Sequence, residues 1–215
     1  ISVAAVTELW SQFGRLSEIW FDGGISAQVH ERIVHLLATL QPDAVTYGSG
    51  ISADKNAVDW VGTESGMPAY PVWSSGCAAA GGAGFRGTTP TQYPTTFCPK
   101  GSDCTLQAPD HWFWMPNTPI KSLATLIDMY HKSVGSNSVM ELDFAIDRTG
   151  NIDPTHAERY AEFGAWIRSC YGTAVARTPW SLTDTLELAV ASTDGAGIGI
   201  DRIVIQEDIS RGQRI

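Results

Sequence analysis

Two acidic residues in the first third of the chain lie in settings suited to cleaving a glycosidic bond. Asp22 follows the apolar pair Trp20-Phe21 and precedes two glycines, which let a ligand approach the backbone closely. Glu64 lies between two glycines and near aromatic residues. A glycosidase that retains configuration needs two carboxyl groups about 5 Å apart, one as nucleophile and one as acid and base. The pattern makes Asp22 a candidate nucleophile and Glu64 a candidate acid/base.

Both residues also have structural interpretations that the local pattern leaves open. Asp22 is close enough to Ser26 to belong to the cap of a following helix. Glu64 fits an ordinary surface loop, and Asp54 and Asp59 are neighbouring acids that compete with it for the catalytic role.

Other chemistries find less support in the sequence. The five histidines are scattered, and His30 and His35 have a spacing unsuited to binding one metal ion on a helix. No G-x-S-x-G segment is present. Residues 147–153 resemble a calcium loop only faintly and indicate a turn, because the full ligand spacing and the closing Glu are missing. The sequence therefore predicts neither a metal site nor a cofactor.

The composition of the chain favours some classes of binding partner over others. The net charge of −9 disfavours nucleic acid, and no run of about 18 apolar residues predicts a membrane span. Eight tryptophans provide flat apolar surfaces on which sugars can stack. Cys98 and Cys104 bracket a polar segment, residues 99–103, that we interpret as a loop closed by a disulfide in an oxidising compartment.

The elements that must position these residues alternate along the chain. Helices are predicted over residues 3–13, 26–40, 120–134 and 153–170. Strands are predicted over residues 17–21, 43–47, 58–62, 69–73 and 138–144, and again over 186–191 and 202–206. Residues 76–110 indicate a long excursion, after which the apolar pattern resumes at 111–114.

This alternation predicts a parallel sheet, either a TIM-like barrel or a doubly wound sheet. The barrel is favoured because no G-x-G-x-x-G segment leads from a strand into a helix. In such a barrel the chemistry lies at the carboxyl ends of the strands. Asp22 and the loops carrying Glu64 and Trp112 follow predicted strands in this way.

Several segments carry a resemblance to a known family. Residues 8–14 (ELWSQFG) and 18–24 (EIWFDGG) resemble the helix and strand leading to a W-F-D-G nucleophile, and 59–66 (DWVGTESG) resembles R-W-V-G-N-E-x-G. Residues 112–114 (WFW) and 126–137 (LIDMYHKSVGSN) are similar to two further motifs in the same order. The chain resembles glycoside hydrolase family 29, the α-L-fucosidases.

The resemblance implies a retaining exo-α-L-fucosidase with Asp22 as nucleophile and Glu64 as acid/base, acting on fucosylated oligosaccharides or glycoconjugates. Substrate-binding residues would be tryptophans, namely Trp20, Trp60, Trp112 and Trp114. It also implies a secreted or extracellular location. A sugar-binding protein of the same fold with impaired catalysis is the alternative, since Asp59 replaces the family's Arg and Asp143 its Asn.

The resemblance also implies a fold class and domain limits. The fold is α/β, with the C-terminal part of a (β/α)8 TIM-like barrel over residues 1–172 and the start of a β-sandwich over residues 173–215. Nothing in the sequence corresponds to the family's early strands. We therefore expect this piece to be inactive alone.

Overall fold

The computed structural model describes residues 2–47, 57–74, 99–109, 111–179, 185–190 and 199–207. The chain divides into two units, Ile1–Asn151 with Glu207–Ile215, and Ile152–Gln206. In the described part, no helix is long and apolar enough to cross a membrane.

The larger unit contains a parallel sheet whose described strands follow the order of the sequence. They are β1 (Glu18–Trp20), β2 (Val45–Tyr47), β3 (Ala57–Trp60), β4 (Lys100–Thr105) and β5 (Ser138–Asp143). Each pairs in parallel with the next. The sheet curls as part of a TIM-like barrel does, which confirms that prediction and rejects the doubly wound alternative.

One helix precedes the first strand, and others connect the strands. The larger unit has α1 (Val3–Gln12), α2 (Ala27–Leu40) and α3 (Leu123–Ser133), which a 3₁₀ turn follows. The hydroxyl of Ser122 caps α3 by accepting from Thr125 N at 3.1 Å. The smaller unit contains α4 (Pro154–Tyr171), which begins at a proline and is capped by the Asp153 carboxylate.

The apolar core beneath α1 and α2 decides which face of β1 is free for chemistry. Trp10, Ile33 and Ala44 are buried with Ile19 and Phe21, which project from the outer face of the first strand. Because side chains alternate along a strand, Glu18 and Trp20 point to the opposite, inner face. Packing of this apolar cluster therefore fixes the strand end from which the turn carrying Asp22 departs.

The fourth strand corrects one prediction. Residues 99–103 were expected to form a loop, but Lys100–Thr105 is a buried strand. The segment is polar and lacks apolar alternation, so only its partners reveal it: Lys100 Nζ lies 2.7 Å from Asp59 Oδ2. Cys104 is buried in this strand. Cys98 lies outside the described residues, so the Cys98–Cys104 disulfide stays a prediction.

Several other expectations were wrong. Residues 69–73 are irregular rather than extended in a strand, and the segment contains Pro71. Two strands were expected after residue 172, over 186–191 and 202–206. The described stretches there, 185–190 and 199–207, have no regular secondary structure. The predicted helix over residues 3–13 was expected to be amphipathic with Leu9 and Phe13 on its apolar face, but these side chains are 55% and 68% exposed.

The segment resembling a calcium loop is a turn, as predicted. Asp147 Oδ1 accepts from Thr149 N at 2.7 Å and from Asn151 N at 3.1 Å. The Thr149 hydroxyl also donates to Asp147 Oδ1 and has the largest effect on its pKa. Together these bonds hold the pKa of Asp147 below its ordinary value. The carboxylate is therefore occupied by its own turn.

Candidate active site

Asp22 is held by a turn at the end of β1. Phe21 N donates to Tyr47 O at 3.2 Å, and Gly24 N donates to Phe21 O at 2.8 Å. Gly23 and Gly24 have φ of 72° and 77°, a left-handed conformation that glycine adopts without strain. Ser26, not Asp22, is the N-cap position of α2. The exposed Asp22 side chain is thus presented by a tight turn and not used as a helix cap.

Glu64 lies in a loop that returns to the sheet twice. Val61 N donates to Gly101 O at 3.0 Å, and Gly66 N donates to Asp103 O at 2.9 Å. A Cβ on Gly66 would lie 2.6 Å from Met129 Cε, so glycine is required for this close approach. Glu64 itself is exposed on the loop between these anchor points.

Of the acids that competed with Glu64, Asp59 is already occupied. Its carboxylate bonds to the buried Lys100 ammonium, on the sheet face opposite Trp60. Asp54 lies outside the described residues.

Asp103 in β4 brings the two candidate residues into one electrostatic neighbourhood. Its Oδ1 accepts from Trp60 Nε1 at 2.7 Å. Burial raises the pKa of Asp103, the Trp60 hydrogen bond opposes this, and the charges of Glu64 and Asp22 raise it further. Both predicted carboxylates therefore lie within electrostatic reach of one buried carboxyl group. The sequence prediction missed Asp103 because its segment was expected to be a loop.

Further carboxyl groups line the inner face of the sheet. Glu141 pairs in register with Asp103, and Asp143 with Thr105, across β4 and β5. Burial raises the pKa of Glu141 to about 8, and a hydrogen bond and charge from Glu18 add to it. Burial, followed by the charge of Asp103, raises the pKa of Asp143 to about 6. These two carboxyl groups therefore keep their protons to a higher pH than isolated carboxyl groups do.

Tyr47 is buried within this acidic surface. Its ring stacks on Trp20 with centroids 4.0 Å apart. Burial raises the pKa of Tyr47, and the charges of Glu141, Asp103 and Glu18 act in the same direction. A Cβ on Gly101 would collide with the Tyr47 hydroxyl oxygen, so glycine in β4 makes room for this ring.

The raised pKa of Glu141 gives a pH dependence of stability. A carboxyl whose folded pKa lies near 8 rather than 4.5 favours folding below pH 4.5, and this contribution is lost as the pH rises through 8. Gln mimics the protonated form, so Glu141→Gln should raise Tm by about 2–4 °C at pH 8 and leave it unchanged at pH 4.5. Thermal unfolding followed by circular dichroism at both pH values measures this difference.

The control for this prediction is Glu8→Gln, which makes the same change on the exposed face of α1. It should shift Tm equally little at both pH values. A Glu141→Gln variant that is no more stable than the original chain at pH 8 would contradict the prediction.

The four tryptophans proposed to bind substrate fall into two pairs. Trp20 and Trp60 lie half-buried on the inner face, held by Tyr47 and by Asp103. Trp112 and Trp114 are half-buried in the loop after β4.

Gln107, which the sequence prediction did not single out, organises the loop of the second pair. Its Nε2 donates to His111 O at 2.7 Å and Phe113 O at 2.9 Å, and its Oε1 accepts from Met115 N at 2.9 Å. The side chain is fully buried. It therefore fixes the backbone on both sides of Trp112 and Trp114. Among the described residues, no group of three or more His, Cys, Asp or Glu side chains has an arrangement suited to a metal ion.

Comparison with known proteins gives one consistent result. A family model described as Alpha-L-fucosidase matches residues 1–172. A protein of Oryza sativa subsp. japonica named as an alpha-L-fucosidase is 27% identical over 225 residues, which cover 95% of this chain and 39% of the relative.

Solved structures agree with the sequence comparison. A glycoside hydrolase 29 family member from an unknown rumen bacterium matches with a TM-score of 0.63 and 26% identity, over 83% of this chain and 36% of that chain. A fucosidase of Ruminococcus gnavus in complex with fucose shares the fold, with a TM-score of 0.62 at 19% identity over 80% of this chain and 38% of that chain. The chain thus spans about two fifths of the length of the relatives it matches.

Proposed function

Because this chain belongs to the α-L-fucosidase family, whose model matches residues 1–172, we propose that the full-length protein is a retaining exo-α-L-fucosidase. Its substrates are fucosylated oligosaccharides or glycoconjugates, and the protein acts in a secreted or extracellular location. The fucose complex of the Ruminococcus gnavus relative supports the choice of sugar.

The observation that carries the mechanism is the shared electrostatic neighbourhood of Asp22 and Glu64. Each is exposed at the carboxyl end of its strand, and the charges of both act on the buried Asp103. One carboxylate follows the first strand and the other the third, so they approach a bound sugar from different loops. A retaining glycosidase uses such a pair.

The reaction proceeds by double displacement. A carboxylate oxygen of Asp22 attacks the anomeric carbon of fucose while Glu64 gives its proton to the departing glycosidic oxygen. The C–O bond to the leaving group breaks, and a covalent fucosyl ester forms on Asp22. Glu64 then removes a proton from water, whose oxygen attacks the anomeric carbon and releases fucose with its original configuration.

The tryptophans provide the binding surface. Trp20 and Trp60 are held rigidly by Tyr47 and Asp103, and they offer apolar faces to the sugar ring. Trp112 and Trp114 approach from the loop that Gln107 organises. Rigid aromatic walls lose little conformational entropy when a sugar binds.

The proposal is tested by assaying the full-length protein and the 215-residue chain in parallel on an aryl α-L-fucoside. We expect the full-length protein to release α-L-fucose as the first anomer detected by proton NMR. The 215-residue chain should turn over at least about a hundredfold more slowly, because binding contacts from the rest of a barrel position the sugar.

The matched control is an aryl β-D-galactoside, on which both proteins should be inactive. Release of β-L-fucose first would contradict retention, and comparable rates for the two proteins would contradict the need for the remaining barrel. A full-length protein that binds fucose without any turnover would instead support the sugar-binding alternative.

A further inference from the structure

Two of the hydrogen bonds that attach the loop carrying Glu64 to β4 are made to one residue, Asp103. At the start of the loop, Trp60 Nε1 donates to the Asp103 side chain at 2.7 Å. At its end, Gly66 N donates to the Asp103 backbone oxygen at 2.9 Å. Glu64 lies between these two attachment points, which are six residues apart in sequence.

The side chain of Asp103 is a rigid attachment point for the loop. It is 8% exposed and projects from a central strand that is paired on both sides. The hydrogen bond from Trp60 favours the ionised carboxylate against the cost of burial.

The backbone of the loop needs such support. Gly62 and Gly66 have φ of 79° and 69°, so the segment turns sharply at both ends. Between them the described bonds are local, such as that of the Ser65 hydroxyl with Thr63 Oγ1 at 2.8 Å. An exposed side chain on a loop turning at two glycines depends on its anchors for a fixed position.

We propose that Asp103 is a positioning residue for the acid/base Glu64, acting through its hydrogen bond to Trp60 and not by touching the substrate. This inference rests on the proposed fucosidase function. It predicts that loss of the acceptor at position 103 impairs the step that needs proton donation more than the step that needs the nucleophile.

The test compares two substrates of the full-length protein, one that needs an acid and one that does not. An alkyl α-L-fucoside has a poor leaving group that must be protonated, whereas α-L-fucosyl fluoride loses fluoride with little help. Asp103→Leu keeps the side-chain size and removes the acceptor. Because kcat/KM reports only the steps up to formation of the fucosyl ester, it should fall about a hundredfold on the alkyl fucoside, as expected for a misplaced catalytic group, and less than about fivefold on the fluoride.

Two further variants examine the hydrogen bond itself. Asp103→Asn retains an oxygen that can accept from the indole, so it should stay within about fivefold of the original protein on both substrates. Trp60→Phe removes the donor and should give the same split between substrates as Asp103→Leu. The double variant should be no slower than Asp103→Leu alone, since both changes remove one interaction.

The matched control is Ser102→Ala, at the neighbouring buried position on the opposite face of β4. It should leave both rates unchanged. Equal losses on the two substrates in Asp103→Leu, or no loss on either, would overturn the proposal. If Asp103→Leu does not fold, Trp60→Phe decides by the same criterion. Failure of the fucosidase assignment is distinguishable, because then Asp22→Asn would leave turnover of the fluoride intact.

Discussion

Replacing Asp22 with Asn in the full-length protein is expected to lower kcat on an aryl α-L-fucoside by about 10⁴-fold or more. Asn has nearly the same size and shape, but its amide oxygen is a poor nucleophile and forms no stable fucosyl ester. Because the covalent intermediate is the route of the reaction, little turnover should remain. Steady-state kinetics on purified protein, with circular dichroism to show an unchanged fold, measures this effect.

The local structure predicts that the fold tolerates this change. Asp22 is exposed, and the turn around it is closed by the backbone bond from Gly24 N to Phe21 O. The matched control is Asp128→Asn on the exposed surface of α3, where the carboxylate pairs with Lys132 four residues along the helix. That variant should keep the original kcat and lose at most about 0.5 kcal/mol of stability. Turnover of Asp22→Asn close to that of the control would reject Asp22 as the nucleophile.

Replacing Glu64 with Gly is expected to have the second largest effect. Without a general acid, the rate on a fucoside with a poor leaving group should fall by about 10²- to 10⁴-fold. With an activated aryl leaving group, the fucosyl ester on Asp22 still forms but no group deprotonates water. Added azide needs no deprotonation, so it should attack this ester and restore turnover.

The configuration of the azide product is an independent check. Azide takes the place of water in the second displacement, so the product should be α-L-fucosyl azide, with the configuration of the substrate. Product analysis by NMR and rates with and without azide complete the measurement. A protein that only binds sugars forms no ester for azide to attack, so complete inactivity of Glu64→Gly on the activated substrate, with no rescue, would contradict the assignment.

Ser65→Gly is the matched control for loop flexibility. Ser65 bonds to Thr63 and to the backbone of Met67, so its removal loosens the same loop while leaving the carboxyl group in place. Any loss of rate in this variant should not respond to azide. Rescue of both variants alike would show that azide acts without replacing a specific base.

The local sequence was sufficient for much of the barrel. Apolar residues recurring with helical spacing predicted α2 and α3 close to their observed limits. The run ending at Phe21 predicted the first strand, and the glycines after it predicted the turn that presents Asp22. These features depend on residues near one another in the chain, so their pattern is visible without the fold.

The fourth strand could not be predicted in this way. Its residues are polar, and they are buried only because partners from elsewhere satisfy them: Asp59 neutralises Lys100, and Trp60 donates to Asp103. The candidate active site depends on that strand, since Asp103 lies within the electrostatic reach of both Asp22 and Glu64.

The sequence by itself determined the class of fold, the position of Asp22 at a strand end and the motifs of a fucosidase. The tertiary structure alone decided which acids share an environment. Glu18 and Glu141 are remote in the chain, yet the curled sheet brings their side chains together on its inner face. Burial and the mutual repulsion of these groups raise the pKa of Glu141. Both effects depend on distances through space, which the order of residues along the chain does not contain.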